Sequence, residues 1–531
     1  MGGDSTSAGA QGGFHPGHSP WAIALTVTLA TFMEVLDTTI VNVALPHIAG
    51  GLAATQEEAT WVLTSYLVSN AIVLPVSGWL ALRVGRKRFY MSCVALFTIS
   101  SFLCGIAPSL GLLIFFRVLQ GAGGGGLAPS EQSILADTFA PAMRGIAFGI
   151  YGMAVVVAPA IGPTLGGYIT DGTGWRWIFF LNVPVGVLSL LLTKRMVSDP
   201  PHLVETRRRP QPPIDYFGLA LVAAGFGTLQ VVLDKGQEED WFGSSFIRWF
   251  AFISAASLLG MVVRELRSPH PMIELRLLAK RNFGLSCLLI GLVGTVLFGS
   301  TVLLPQFEQT LLGYTAEKAG ETLSIGGLVI LPLMPLVGRI LQWVSPRWLV
   351  ALGFAMTGYA LHVMTQINPD ISFAVATRWR VLQALGLAFL FIPITASSYV
   401  GVPRDKYEHA SALLNLFRNL GGSVGISLME ALLVQRAQVH QVSLVSHVTQ
   451  FSGALREAVT RQTAALEQAG VNAVVSTRMV YARIYAAVQQ QAVAMAYEDA
   501  FWLLAVLAAF AVPVALLLRR DPHGSGQVPV H

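Results

Sequence analysis

Fourteen stretches of this 531-residue chain are each apolar over about 20 residues, the length a helix needs to cross the hydrocarbon core of a bilayer. They fall at approximately 21–43, 59–82, 88–107, 111–136, 145–170, 176–197, 215–234, 246–265, 283–306, 318–342, 347–365, 376–400, 409–433 and 496–518. Lipid offers backbone groups no water, so runs this long must close their own hydrogen bonds as helices. Composition agrees, with 53% hydrophobic residues, only 12% charged and a mean hydropathy of +0.60. A soluble domain carries about 25% charged residues, so an ordinary soluble enzyme, a disordered chain and a disulfide-built secreted scaffold are all excluded. Cys93, Cys104 and Cys287 sit inside apolar runs without a CxxC or Cys/His cluster, which implies no disulfide framework, no structural zinc and no metal site. The first stretch is too long for a signal-peptide core and reads as a retained span. Residues 1–20, rich in Gly, Ser and His, are expected to be disordered.

Orientation follows from the loop cations. Arg83, Arg86, Lys87, Arg88, Arg144, the cluster up to Arg207–Arg209, and further residues to Arg519 and Arg520 put 21 Lys and Arg on one side. The short loops opposite hold six, with Arg380 counted among them. Both termini are therefore expected in the cytoplasm and the long loop 435–494 outside. The net charge of +5 is a topology signal, not a nucleic-acid signal, and the Arg207–Arg209 patch reads as a cytoplasmic anchor.

The fourth span contains Arg117-Val118-Leu119-Gln120-Gly121 and the twelfth Arg380-Val381-Leu382-Gln383. Pro75-Val76-Ser77-Gly78 in the second span matches Pro335-Leu336-Val337-Gly338 in the tenth. Both pairs lie eight spans apart, as a duplicated six-span unit with two inserted spans requires, and the even offset gives both copies one orientation. Parallel six-span halves with a site between them are a transporter architecture. The expected organisation is an all-α integral membrane fold of 14 helices, two pseudo-symmetric six-helix bundles plus two inserted helices. In residues it runs as a disordered terminus 1–20, a bundle at 21–197, a cytoplasmic linker at 198–213 and the extra helices at 214–266. A second bundle follows at 267–518 with the outward loop 435–494, then a tail at 519–531.

A charge inside the bilayer costs several kcal/mol, so each one needs a reason. Glu34 and Asp37 share one face of the first span at i,i+3 spacing; the plainer alternative is a wet helix end. Arg117, Gln120, Gly124, Ala128 and Glu131 form a polar and small stripe on the fourth span, suited to lining a cavity. Arg117 is a fixed cation that can release a neighbouring carboxylate's proton, or can tie helices through backbone carbonyls. Glu131 lies near the cytoplasmic end and reads as snorkelling to the interface. On the thirteenth span Asn419 and Glu430 share a face, and Glu430 is either a second titrating group, a site for cationic substrates, or an interfacial residue. The fifth span carries Pro159, Gly162, Pro163, Gly166 and Gly167, dense enough to bend a helix and allow close backbone approach. No Walker loop, Ser/His/Asp arrangement or metal-ligand spacing is present.

These strings resemble the major facilitator superfamily in its 14-span drug:proton antiporter branch, over nearly the whole chain. Leu36-Asp37-Thr38-Thr39 through Pro46 is similar to the first-span signature, and Gly78-Trp79-Leu80-Ala81-Leu82-Arg83-Val84-Gly85-Arg86-Lys87 to the conformational loop motif. Arg117-x-x-Gln120-Gly121 resembles the proton-transfer motif, Gly162-Pro163-x-x-Gly166-Gly167 the antiporter motif, and Trp175 through Pro184 follows as in the branch. Leu233-Asp234-Lys235-Gly236, Asp240-Trp241-Phe242 and the loop 435–494 resemble EmrB-type multidrug efflux permeases. The loop motif usually has Asp where this chain has Leu82, so the Asp-based latch between halves is not expected here.

The resemblance implies a proton-driven exporter of lipophilic or amphiphilic toxic compounds in a bacterial inner membrane, without a cofactor and not an enzyme. Glu34, Asp37 and Arg117 would couple the proton, with Glu430, Glu131, Asn419 and Gln120 as secondary titrating or substrate groups. A periplasmic membrane-fusion adaptor, and through it an outer-membrane channel, would dock the outward loop. Membrane lipid is the remaining partner and nucleic acid is not. The alternative is a multispan enzyme acting on lipid-linked substrates, which would need a polar loop bearing a nucleophile or acid/base pair.

Overall fold

The computed structural model describes residues 17–140, 143–208, 212–368, 370–449 and 452–519. Residues 1–16 of the expected disordered terminus, residues 520–531 of the expected tail and Arg209 lie outside the described residues. Among the described residues all regular structure is helical. In chain order the helices are α1 (Pro20–Gly51), α2 (Gln56–Val84), α3 (Arg86–Gly105), α4 (Leu110–Gly124), α5 (Leu127–Thr138) and α6 (Arg144–Gly172). Then come α7 (Trp177–Phe180), α8 (Asn182–Met196), α9 (Pro201–Arg208), α10 (Tyr216–Lys235), α11 (Ser245–Arg267) and α12 (Arg281–Thr310). The chain continues through α13 (Ala316–Ile340), α14 (Pro346–Met364), α15 (Phe373–Ser398), α16 (Tyr407–His447), α17 (Gly453–Gln468) and α18 (Ala473–Leu516).

Local chemistry sets several of these boundaries. A capping box opens α2, with the Glu58 N–H donating to Thr55 Oγ1 and the Thr55 N–H donating to Glu58 Oε2. Gly85, at φ +101°, makes the sharp turn from α2 into α3 that a side chain would strain. The fourth expected span is interrupted between Gly124 and Leu127, so it is two helices in line.

Eleven helical stretches are long and apolar enough to cross a membrane, and α6 makes a twelfth if its arms, bent by 46°, count as one span. Every expected span position is helical, but α14 and α16 do not meet that measure. The expected fourteen is therefore eleven or twelve by length and apolarity. In α16 the dilution is visible, because Asn415, Arg418 and Asn419 sit in the middle of the expected span. Leu25, Ile99, Phe115 and Leu191 are each more than half exposed, as lipid-facing side chains are. The protein is a multi-pass membrane protein.

Helix contacts repeat through the chain. α1 packs on α6, α2 and α3 on α4, and α3 on α8; later α12 packs on α16, α13 and α14 on α15, and α14 on α18. The two sets meet where α6 crosses α13 and α2 crosses α16. At the first crossing a Cβ on Gly145 would sit 2.9 Å from the Gly338 carbonyl oxygen, and one on Gly338 would sit 2.7 Å from that of Gly145. Only paired glycines allow this approach. α10 and α11 pair with each other and α10 leans on α2. Arg264 clasps Asp215, just ahead of α10, through two hydrogen bonds of 2.6 and 2.7 Å, which holds that carboxyl below the usual carboxylate range.

Two expectations are corrected. The segment 435–494 is no loop, because α16 continues to His447, α17 fills Gly453–Gln468 and α18 begins at Ala473. Arg380, counted with the short loops, is buried within α15.

Candidate functional site

Asp37 of α1 and Arg117 of α4 meet in the centre of the first helix set. Arg117 Nη1 donates to Asp37 Oδ2 at 2.6 Å, and the two side chains are 0% and 1% exposed. Gln120 Nε2 and Asn182 Nδ2 both donate to Asp37 Oδ1, at 3.0 and 2.6 Å. Arg117 also donates through Nε to the Val62 carbonyl at 3.0 Å and through Nη1 to Gln120 Oε1 at 2.8 Å. Its guanidinium lies 4.3 Å from the centre of the Tyr66 ring, a cation–π contact of desolvated type. The Nη2 group, although buried, has no partner among the described residues. Both readings of Arg117 thus hold together, since it ties α2 and α4 through a carbonyl and balances a buried acid.

Glu34 lies one turn from Asp37 and has different company. It accepts from Tyr66 Oη at 3.2 Å and from Asn70 Nδ2 at 3.3 Å, both neutral donors on α2. Both acids are buried, so the wet-helix-end alternative is overturned. Glu131 is corrected too, because it is fully buried and does not reach an interface. Thr28 Oγ1 donates to its Oε1 at 2.5 Å, and its Oε2 has no partner among the described residues. Glu131 lies on the face of α5 that packs against α1.

A polar chain crosses from one helix set to the other. Asn415 Nδ2 donates to Gln132 Oε1 at 2.9 Å, and Tyr151 Oη donates to Asn415 Oδ1 at 3.0 Å. Arg418 donates through Nη1 to Tyr151 Oη and through Nε to Asn419 Oδ1 at 3.3 Å. Asn419 therefore ends this chain and does not reach Asp37. Glu430, farther along α16, stands beside Asp234 and Glu238 at the far end of α10 and is likewise apart from the Asp37 cluster.

Towards the other end, Arg86 donates to Glu408 at the start of α16 and, through Nη2 at 2.7 Å, to Asp137 at the end of α5. All three are buried. Gly78 belongs to the same closure, since a Cβ there would lie 2.6 Å from the Glu408 carbonyl oxygen. Ser133 and Ser411 hydroxyls are 2.7 Å apart in the same region. Arg83 donates to the Pro212 carbonyl at 2.8 Å, anchoring the linker. The two helix sets are thus joined here by an ion pair whose acid, Glu408, comes from the second set. On α6 the antiporter string serves packing against α1: a Cβ on Gly162 would lie 2.0 Å from Thr39 Oγ1, two residues past Asp37. Gly166 faces Ile40 in the same way, while Gly167 faces open space. Pro159 and Pro163 fall at the 46° bend.

Sequence reasoning missed Asn182, Tyr66, Asn70 and Glu408 as site residues. Asn182 had a signal, because it lies within the Trp175–Pro184 string. The others become visible only when α2 and α16 are placed.

A family model described as Major Facilitator Superfamily matches residues 27–426. The chain belongs to that superfamily. Within it the chain is EmrB-type. It is 39% identical over 431 residues to the multidrug export protein EmrB of Escherichia coli strain K12, covering 81% of this chain and 83% of that one. It is 35% identical over 505 residues to the fatty acid resistance protein FarB of Neisseria gonorrhoeae, covering 95% and 97%. The proton:xylose symporter XylE, at 16% identity, shares the fold with a TM-score of 0.58 over 93% of this chain and 94% of that one.

Proposed function

We propose that this major facilitator protein is a proton-coupled multidrug efflux antiporter of a bacterial inner membrane, exporting amphiphilic or hydrophobic toxic compounds. The observation that carries the reading is the fully buried Asp37–Arg117 pair, held in the middle of the helices with one guanidinium nitrogen unpartnered. Ionisable groups at that depth are costly and are kept for transport work. A proton on Asp37 removes the charge that Arg117 balances, and the returning guanidinium favours its release. Glu34, held by neutral donors, is the companion acid, and Glu131 with its open oxygen is a secondary titrating group. Names of relatives that specify multidrug export and fatty acid resistance support a lipophilic cargo.

The proposal includes fourteen spans, because α14 and α16 occupy the repeat positions of α3 and α6 and the charge bias needs them. Both termini are then cytoplasmic. The bundles are 21–197 and 267–518, with the extra helices at 214–266. Purified protein in vesicles with an imposed pH gradient is expected to concentrate lipophilic dyes against their gradient. Transport indifferent to the pH gradient overturns the antiport reading.

The outward segment docks a periplasmic adaptor that leads to an outer-membrane channel. With 41 residues, α16 is about 60 Å long against a core of about 30 Å, so it stands well clear of the lipid. Val439, Val442, Val474 and Tyr485 on this hairpin are 52–71% exposed, an apolar surface that needs cover. Deleting residues 440–490 is expected to abolish resistance in cells while transport in vesicles persists. Resistance that survives the deletion overturns the adaptor reading.

A further inference from the structure

Glu308, near the end of α12, is a buried acid that the mechanism above leaves unused. Its side chain is fully buried and neither carboxylate oxygen makes a close hydrogen bond among the described residues, the Thr322 hydroxyl facing it only at longer range. The groups facing it are Arg380 of α15 and Thr322 of α13, and Glu308 is in turn the charge facing Arg380. From α18, Tyr497 reaches the same turn with its hydroxyl 3.4 Å from Thr310, and α16 meets α12 through Met429 at Gly299.

Arg380 mirrors Arg117. Each is the eighth residue of its helix, and each donates through Nη1 to the Gln three residues on, at 2.8 Å for Gln120 and 2.7 Å for Gln383. There the halves part. Gln120 continues to the carboxylate of Asp37, whereas Gln383 Nε2 donates to the Ser300 hydroxyl at 2.7 Å and Arg380 Nη2 to that of Thr301 at 3.3 Å. Two hydroxyls stand where the first half has its acid, and the acid is two turns farther along α12, at Glu308. Arg380 Nε is left unpartnered. Each half thus holds a buried arginine and a buried carboxylate, closed into a pair in the first and held apart in the second.

We propose that Glu308 is a second proton-carrying carboxylate, with Arg380 as its counter-charge, so that one cycle moves a proton through each half. This rests on the antiport reading. A buried carboxylate with no close donor is unfavourable as an anion, and two events relieve it: arrival of a proton, or approach of the free Arg380 nitrogen. Movement of α12 against α15 exchanges the two. A purely structural glutamate would be closely hydrogen-bonded to the helices it ties, whereas this one has only the Thr322 hydroxyl facing it. Its place near the end of α12 remote from Arg281 puts it towards the side proposed to be proton-rich.

The test uses full-length protein in vesicles with ethidium as probe, the membrane potential clamped to zero and a pH gradient of one unit. Two protons per cycle sustain a limiting ethidium gradient of about a hundredfold and one proton about tenfold. Glu308→Gln is expected to lower the limiting gradient about tenfold with transport still proton-driven, and Glu308→Asp to restore it. An unchanged limiting gradient overturns the assignment while leaving antiport intact, and so does a variant altered only in the ethidium concentration giving half-maximal rate. A wild-type gradient indifferent to pH overturns the antiport reading and this one with it. Infrared difference spectra between acid and alkaline pH need no transported substrate. Glu308→Gln is expected to lose one protonated-carboxyl component, and a spectrum identical to wild type overturns the proposal.

Discussion

Asp37→Asn is expected to abolish uphill export driven by pH while substrate binding and passive exchange stay measurable. One proton entering gains about 2.3 kcal/mol per 100 mV and about 1.4 kcal/mol per pH unit, enough for roughly a hundredfold substrate gradient. Without the titrating oxygen the Asp37–Arg117 pair cannot open and close, the cycle does not turn even with Glu308 intact, and that gradient falls to unity. Asparagine keeps a carbonyl for Gln120 and Asn182 but leaves Arg117 buried without its anion, a change worth about 3–5 kcal/mol in stability. Size-exclusion behaviour of the variant in detergent therefore has to be checked beside the flux. Arg117→Ala is expected to impair coupling even where the protein inserts normally. Glu34→Gln is expected to be milder, since its donors are neutral and a glutamine oxygen satisfies them equally well. Normal drug-induced proton movement in Asp37→Asn would overturn the assignment and shift it to Glu131.

Arg86→Ala is expected to open the closed end of the molecule. The substitution removes the buried cation that Glu408 and Asp137 share, with the penalty of about 3–5 kcal/mol that follows removal of one partner from a buried pair. Part of that cost is relieved if α2 and α16 separate and water enters. A cysteine pair at Ser133 and Ser411, whose hydroxyls are 2.7 Å apart, reports on this directly. Cross-linking is expected to slow at least about tenfold in the Arg86→Ala background, the change that 1.4 kcal/mol gives. Glu408→Gln, which strands no acid of its own, is expected to slow it less. Cross-linking at the wild-type rate in both variants removes the latch from the mechanism.

The composition of the site was legible in the sequence, and its contacts were not. Glu34 and Asp37 declared themselves by carrying charge inside an apolar run at one-face spacing, and Arg117 by the same cost argument. That Asp37 and Arg117 touch depends on how α1 packs beside α4, which no local pattern encodes. Glu131 was misplaced because depth along a span does not say which face a residue presents, and α5 turns it against Thr28 of α1. Leu82 left open what joins the halves at the loop motif, and the answer could not be read from the motif, since Glu408 lies 322 residues from Arg86. Glu308 escaped notice because an acid close to a span's end reads as interfacial until burial is known. The helical extension of α16 and α18 was underestimated for a related reason: the search for apolar runs stops where polar residues begin, whereas the helix does not.

That continuity has a mechanical consequence. α16 holds Glu408 at its first turn, Asn415 and Arg418 at the crossing with the other helix set, and the exposed hairpin at its far end. A rod about 60 Å long, tilting by about 5° around the Glu408 end, displaces its tip by roughly 5 Å. Any rearrangement between the two helix sets is thus amplified and delivered to the hairpin as a lateral stroke. A protein seated on that surface would sense each cycle through position alone, without a ligand or signal passing between the two.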